Sequence, residues 1–263
     1  MTTKRVVLAS LSAAMDGGFT AIADVSKAMD TAGASGDYRL IGGVMVMLHV
    51  QRLGIDLPLR ATGDADFGVP PHVLQRVELV GAIEALGYAK ASGNRWERAI
   101  DNRRVAAVDL LVPTFRTRAR DTVRVGGVVT TEVPGLAEAL RRPGVRIDAE
   151  LRLTDHSVLH TSVVLPDVVG TLALKARVRS VRNETRDAED LWRCLEVAAA
   201  DGVTPEMFDG DELLEELRGI LWRELGPHGH SLPTLVGDLQ PEPAARMRTR
   251  VRGLLAEVVG AIE

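Results

Sequence analysis

The chain has 263 residues, of which 46% are hydrophobic and 26% charged, with a formal net charge of -4 and one cysteine, Cys194. This is the make-up of a globular protein of one large or two modest domains. It excludes an intrachain disulfide and a multi-cysteine zinc site, and the charge is too mild to announce a polyanion partner by itself. Lys4 and Arg5 ahead of Val6 to Ala14 imitate a signal peptide, but the apolar run is short and broken by Ser10 and Ser12. No apolar stretch approaches the ~20 residues that span a bilayer. The expected compartment is the reducing cytoplasm, with no membrane partner.

In chain order, residues 19–33 carry apolar positions at helical spacing and end in Gly33, which predicts a first helix. Tyr38 to Ile41 reads as a short strand, Gly42-Gly43 as a turn, and Val44 to Arg52 as a buried helix. Residues 54–63 read as a loop, and Asp64 to Val69 resumes strand-like alternation. Pro70 and Pro71 suit the first turn of one helix running to Leu86, where Gly87 stops it.

Three strands follow, around Tyr88, over Trp96 to Ile100 and over Arg104 to Val112, with connections short enough for antiparallel neighbours. Beyond them lie a less regular section, a short helix over Leu136 to Arg141, and strands over Val145 to Leu153 and Val158 to Leu165. After Pro166 the pattern turns helical: 167–182, 186–200, 211–225 and 244–262, with a Gly/His/Pro loop at 226–243. The expected class is α+β: a mixed N-terminal domain over 1–165 with its core at about 37–113, then a mainly helical part over 166–263.

Within this frame Asp64 and Asp66 share one strand face, about 7 Å apart along the chain. Paired anions call for a cation, and hard carboxylate oxygens suit magnesium in phosphoryl-transfer chemistry, with manganese as a substitute. Asp109 lies in a strand whose neighbours are all apolar, so it too requires a partner. If its strand lies beside that of Asp64, three carboxylates converge. The D-x-D pattern alone is weak, for Asp209 and Asp211 repeat it where a helix N-cap explains them. Gly42 and Gly43 have two readings, backbone freedom at a turn or close approach of amides to a phosphate at a helix N-terminus.

The segment RLIGGVMVMLHVQRLGIDLPLRATGDADFGV, followed by VAAVDLLVP, resembles the polymerase-β-like nucleotidyltransferase superfamily. LALKARVRSVRNETRDAEDLW is similar to a later segment of its AbiEii/MenT-type toxin branch, as are Arg60 and Thr62 in an R-x-T just before D-x-D. The matches span about 37–195. The resemblance implies a fold of short mixed sheet plus helical domain completing the nucleotide site. It implies Asp64, Asp66 and Asp109 as metal ligands and catalytic groups, and Gly42, Gly43, Arg60, Thr62, Lys175 and Asp187 as nucleotide-binding residues. For Asp187 and Asp190 the alternative is a helix first turn starting at Thr185, where acids favour the dipole. Val44 after the glycines and Ala65 between the aspartates depart from the family pattern without removing a ligand.

The activity implied is transfer of an NMP from an NTP to an acceptor such as the 3′ end of a tRNA, by a toxin that an antitoxin protein restrains. A small-molecule or protein acceptor is a second reading, and a non-catalytic nucleotide-binding regulatory module a third. Arg116, Arg118, Arg120 and Arg124, at even spacing, suit an RNA backbone, and Arg141, Arg142, Arg177, Arg179, Arg182 and Arg186 extend the same expectation. His228 and His230 read as solvent-exposed, His49 as a satisfied interior histidine and Cys194 as buried.

Overall fold

The structure is a computed structural model describing residues 5–58, 60–116, 118–182 and 184–260. Lys4 of the signal-like start, and the end of the helix expected to reach Ile262, lie outside the described residues. The protein is mixed α+β and divides after Asp167 into two compact units.

The first unit runs β1 (Arg5–Ala9), α1 (Ala13–Thr31), β2 (Arg39–Ile41), α2 (Gly42–Leu53), β3 (Ala65–Gly68), α3 (Pro71–Leu74), α4 (Val77–Ala85), β4 (Ala89–Ser92), β5 (Arg95–Ala99), β6 (Val105–Pro113), β7 (Val123–Val125), β8 (Val128–Val133), α5 (Leu136–Arg141), β9 (Gly144–Arg152) and β10 (Val158–Pro166). One mixed sheet has the order β2-β3-β6-β5-β4, with β8 beside the far end of β6 and β7 paired to β8. β6 is its centre, which explains its nearly continuous apolar sequence: of nine residues only Val105 and Asp109 are not buried. β3 and β6 run parallel, and β5 pairs antiparallel to β6. The second sheet is β1-β9-β10, so the apolar start of the chain is a strand, paired in parallel with β9.

α1 begins six residues earlier than its periodicity indicates, with the Ser12 hydroxyl accepting the Met15 amide at 3.2 Å as N-cap. Gly17 and Gly18, which resemble a helix break, lie inside it because α1 presses on the sheet. A Cβ at Gly17 would stand 2.0 Å from the Val105 carbonyl oxygen. Asp16, fully buried, accepts the Thr154 amide at 3.0 Å and its hydroxyl at 2.5 Å and lies 3.8 Å from the Arg104 guanidinium. This carboxylate ties α1 to the β9–β10 turn. Asp16→Ala strands the Thr154 amide and is expected to cost about 2–4 kcal/mol, read as a lower denaturation midpoint at unchanged slope. An unchanged midpoint would mean that the network carries no stability.

The single helix expected over residues 70–86 is two. Arg76 breaks it with an extended backbone, its guanidinium donating to the carbonyls of Ala32 and Gly33. The section read as irregular contains the β7–β8 hairpin, closed by Gly126 and Gly127 at φ +56° and +83°. Gly126 packs on Gln75, where a Cβ would meet the Gln75 Cα at 2.8 Å.

The second unit comprises α6 (Val168–Val181), α7 (Thr185–Ala200), a 3-10 turn (Pro205–Phe208), α8 (Glu212–Leu225), α9 (Leu232–Val236) and α10 (Pro241–Val259). α9 and the first turn of α10 occupy part of the expected loop at 226–243. Its buried positions follow helical spacing, as in Leu217, Ile220, Leu221 and Leu225 of α8 or Val251, Leu254, Leu255 and Val258 of α10. Asp211 caps α8, accepting the amides of Leu213 and Leu214, so this second D-x-D is structural. Among the described residues, no helix is long and apolar enough to cross a membrane.

Candidate metal centre

The site is built where β3, β6 and the start of α2 meet. Parallel pairing sets Asp66 directly against Asp109, so both side chains leave the same face of the sheet. Asp64 lies just before β3 rather than within it, yet its carboxylate turns toward the other two. One oxygen from each of Asp64, Asp66 and Asp109 lies within 4.8 Å of the others. All three residues are half-buried, which lowers the dielectric without sealing the site.

The glycine pair faces the same place. β2 pairs antiparallel to β3 with Ile41 opposite Asp66, which delivers Gly42 to that carboxylate. Gly42 has φ +74°, a left-handed conformation natural to glycine, and a Cβ there would sit 2.0 Å from Asp66 Oδ2. A Cβ on Gly43 would meet Arg60 Nη1 at 3.1 Å and the Thr62 side chain at 3.5 Å. The Thr62 hydroxyl in turn donates to Asp64 Oδ1 at 3.2 Å. Gly42, Gly43, Arg60, Thr62, Asp64, Asp66 and Asp109 therefore form one constellation at the α2 N-terminus, although they come from three separate stretches of chain.

Lys175 and Asp187 belong to the second unit. Lys175 is buried and donates to Asp190 Oδ2 at 2.7 Å, so the acid that holds the lysine is Asp190. Asp187, in the first turn of α7, accepts from Arg182 at 3.2 Å. Several arginines expected on an open basic surface are paired instead: Arg142 with Asp167, Arg177 with Glu216, Arg179 with Glu224, Arg182 with Asp187 and Arg186 with Glu184. Arg116, Arg118, Arg120 and Arg124 are exposed.

Sequence reasoning missed Arg95. It lies on β5 in register with Asp109, and its Nη1 stands 3.6 Å from both Asp64 Oδ2 and Asp109 Oδ2. The signal was available: counting back across the antiparallel turn, Ala99 opposite Val105 puts Arg95 opposite Asp109. Burial pushes the Asp109 carboxyl above the ordinary carboxylate range, with the negative charges of Asp64 and Glu97 adding to the rise and Arg95 and Lys90 opposing it. Burial also pushes the Lys90 ammonium down, against the pull of Asp109.

His49 is buried with Nε2 at 3.1 Å from the Pro166 carbonyl oxygen, and burial pushes its pKa down to about 3, so it is a neutral interior residue. Cys194 is buried, which raises its thiol pKa and makes it a poor nucleophile. His228 and His230 are exposed.

The donor set fits a hard divalent cation. All three groups are carboxylates, which suits magnesium or manganese rather than zinc. Asp109 Oδ1 is buried without a hydrogen-bond partner, a costly arrangement that an ion would relieve. The chain matches no family model and no curated protein. Fold and site together define an α+β protein with a three-aspartate cluster able to hold a metal ion.

Proposed function

We propose that this chain is a metal-dependent nucleotidyltransferase of polymerase-β-like fold, moving an NMP from an NTP to an acceptor hydroxyl. The observation that carries this reading is the convergence of Asp64, Asp66 and Asp109 beside the glycine-led N-terminus of α2. An acidic triad on two neighbouring strands and the residue just before one of them suits in-line phosphoryl transfer, and a helix start offers amides to phosphate oxygens. Asp64, Asp66 and Asp109 would hold magnesium, which when bound neutralises charge developing on the attacking and leaving oxygens. The acceptor oxygen bonds to the α-phosphorus, the bond to the bridging oxygen of the β-phosphate breaks, and pyrophosphate leaves. Asp109 is the candidate to receive the acceptor proton, a role that the resemblance implies for it. Gly42 leaves room for Asp66, and Thr62 orients Asp64.

For the acceptor, RNA is the favoured class, specifically a tRNA end, which makes the protein a candidate toxin checked by an antitoxin. What supports RNA is the segment after β6, where Phe115 is 76% exposed beside Arg116, Arg118 and Arg120, a base-stacking ring among phosphate-binding cations. Replacing these three arginines with alanine is expected to weaken RNA binding and to lower its salt slope by about 0.7 per arginine removed. Unchanged binding and slope would place RNA elsewhere or nowhere. The activity itself is tested by incubating the protein with magnesium, total tRNA and each α-labelled NTP in turn, with Asp64→Ala/Asp66→Ala as control. Label on tRNA that the control cannot place supports the reading. Label on protein or a small molecule moves the acceptor to that class, and no transfer anywhere favours a nucleotide-binding regulatory module.

A further inference from the structure

Arg95 is held by one residue and aimed at two others. Its Nε donates to Glu97 Oε1 at 2.7 Å, a direct charge-assisted hydrogen bond along its own strand. Its Nη1 stands 3.6 Å from Asp64 Oδ2 and 3.6 Å from Asp109 Oδ2, close enough to neutralise both but too far for a hydrogen bond to either. The guanidinium can therefore leave the two aspartates without breaking any hydrogen bond to them, while its bond to Glu97 limits how far it travels.

A divalent ion bound at about 2.0–2.1 Å would draw on the same carboxylate groups, those of Asp64 and Asp109, that Arg95 now neutralises. Cation and guanidinium repel in a half-buried site where charges are screened less than in water. Without either positive charge, the carboxylates repel one another across less than 5 Å, as their oxygens lie within 4.8 Å. A divalent cation would therefore compete with Arg95 for Asp64 and Asp109.

We propose that Arg95 is an exchangeable counter-cation of the Asp64, Asp66 and Asp109 centre, neutralising Asp64 and Asp109 until a divalent cation enters and then withdrawing on its Glu97 tether. This rests on the reading of the three aspartates as a metal centre. Glu97 is the positioning residue, because its hydrogen bond holds the guanidinium back from the carboxylates. Without that bond Arg95 advances onto Asp64 and Asp109 and resists exchange. Metal affinity is thus set by a pair of residues that do not ligate the metal.

The test is manganese binding to the full chain, by calorimetry or the loss of the free-ion paramagnetic signal, with melting followed both in chelator and in saturating manganese. The variants are Arg95→Met, Glu97→Gln, the double variant and Asp66→Asn, with Arg95→Gln as a second choice should the methionine variant misfold. Arg95→Met is expected to bind manganese roughly tenfold more tightly. It melts below wild type in chelator and level with it in manganese. Glu97→Gln binds several-fold more weakly, an effect that vanishes when Arg95 is already methionine, as a double-mutant cycle reports. Equal or weaker binding by Arg95→Met, a melting deficit that manganese does not remove, or a Glu97→Gln effect that persists without Arg95 overturns the proposal. Wild type that binds no manganese, or Asp66→Asn that binds it as well as wild type, overturns the metal-centre reading itself.

Discussion

Asp109→Asn is expected to produce a protein that resists unfolding better than wild type and, on the proposed function, loses nearly all nucleotide transfer. In the folded chain the Asp109 carboxyl is held above the ordinary carboxylate range, chiefly by burial, so ionising it weakens the fold. Below the usual aspartate range it is protonated whether the chain is folded or not, and the substitution changes little. As pH rises through the ordinary value and then the raised folded value, wild type loses stability that the asparagine variant keeps. At neutral pH the variant is therefore expected to gain about 0.5–2 kcal/mol in denaturant unfolding. On the proposed function, transfer is expected to fall by at least about a thousandfold, because one of the three carboxylates that would hold the metal is gone. A gain over wild type no larger at neutral pH than at acid pH would contradict the burial cause, and an active variant would remove Asp109 from the chemistry.

Gly42→Ala is the second change with a large effect, and it acts through Asp66. Alanine at φ +74° carries a backbone strain of about 1–2 kcal/mol. Its Cβ would also stand 2.0 Å from Asp66 Oδ2 and 2.9 Å from its Cγ, so the carboxylate must move out of the cluster. A shift of about 1 Å in a reacting group can cost a hundredfold, and transfer is expected to drop by at least about that much while the protein still folds. Gly43→Ala is the control. Gly43 has no positive φ, and its Cβ would press on the tip of the Arg60 side chain at 3.1 Å and meet Thr62 at an ordinary 3.5 Å. Equal loss in both variants would show that the glycines matter for the turn rather than for Asp66.

The parts of this fold legible in the sequence are those where local pattern and tertiary demand agree. β6 reads as a strand because it is buried on both faces, and its lone aspartate stands out for the same reason. The long helices of the second unit follow from their period, whereas α9 lies in the stretch that reads as a loop. What escaped is what depends on contact with distant chain. β1 is a five-residue strand whose only announcement is its pairing with β9. Gly17 and Gly18 resemble a helix break, and only the nearness of Val105 shows that they let α1 approach the sheet. The β7–β8 hairpin is written in V-R-V-G-G-V-V, a two-glycine turn between short valine-rich runs.

The site divides along the same line. Residue type and order single out Asp64, Asp66 and Asp109, but only the parallel register of β3 and β6 puts Asp66 against Asp109. Arg95 is invisible as one arginine among many until β5 is set in register with β6. That Lys175 pairs with Asp190 rather than Asp187 depends on how α7 is turned toward α6, which spacing of three residues within α7 does not decide.

The most direct test of the central claim is calorimetric binding of an NTP to wild type and Asp66→Asn, each with magnesium and with chelator. The account predicts that wild type binds the nucleotide in magnesium and loses most of that affinity in chelator, and that Asp66→Asn binds weakly in both. Equal binding by the two proteins, indifferent to magnesium, would contradict the assignment of the three aspartates as a metal centre for nucleotide chemistry.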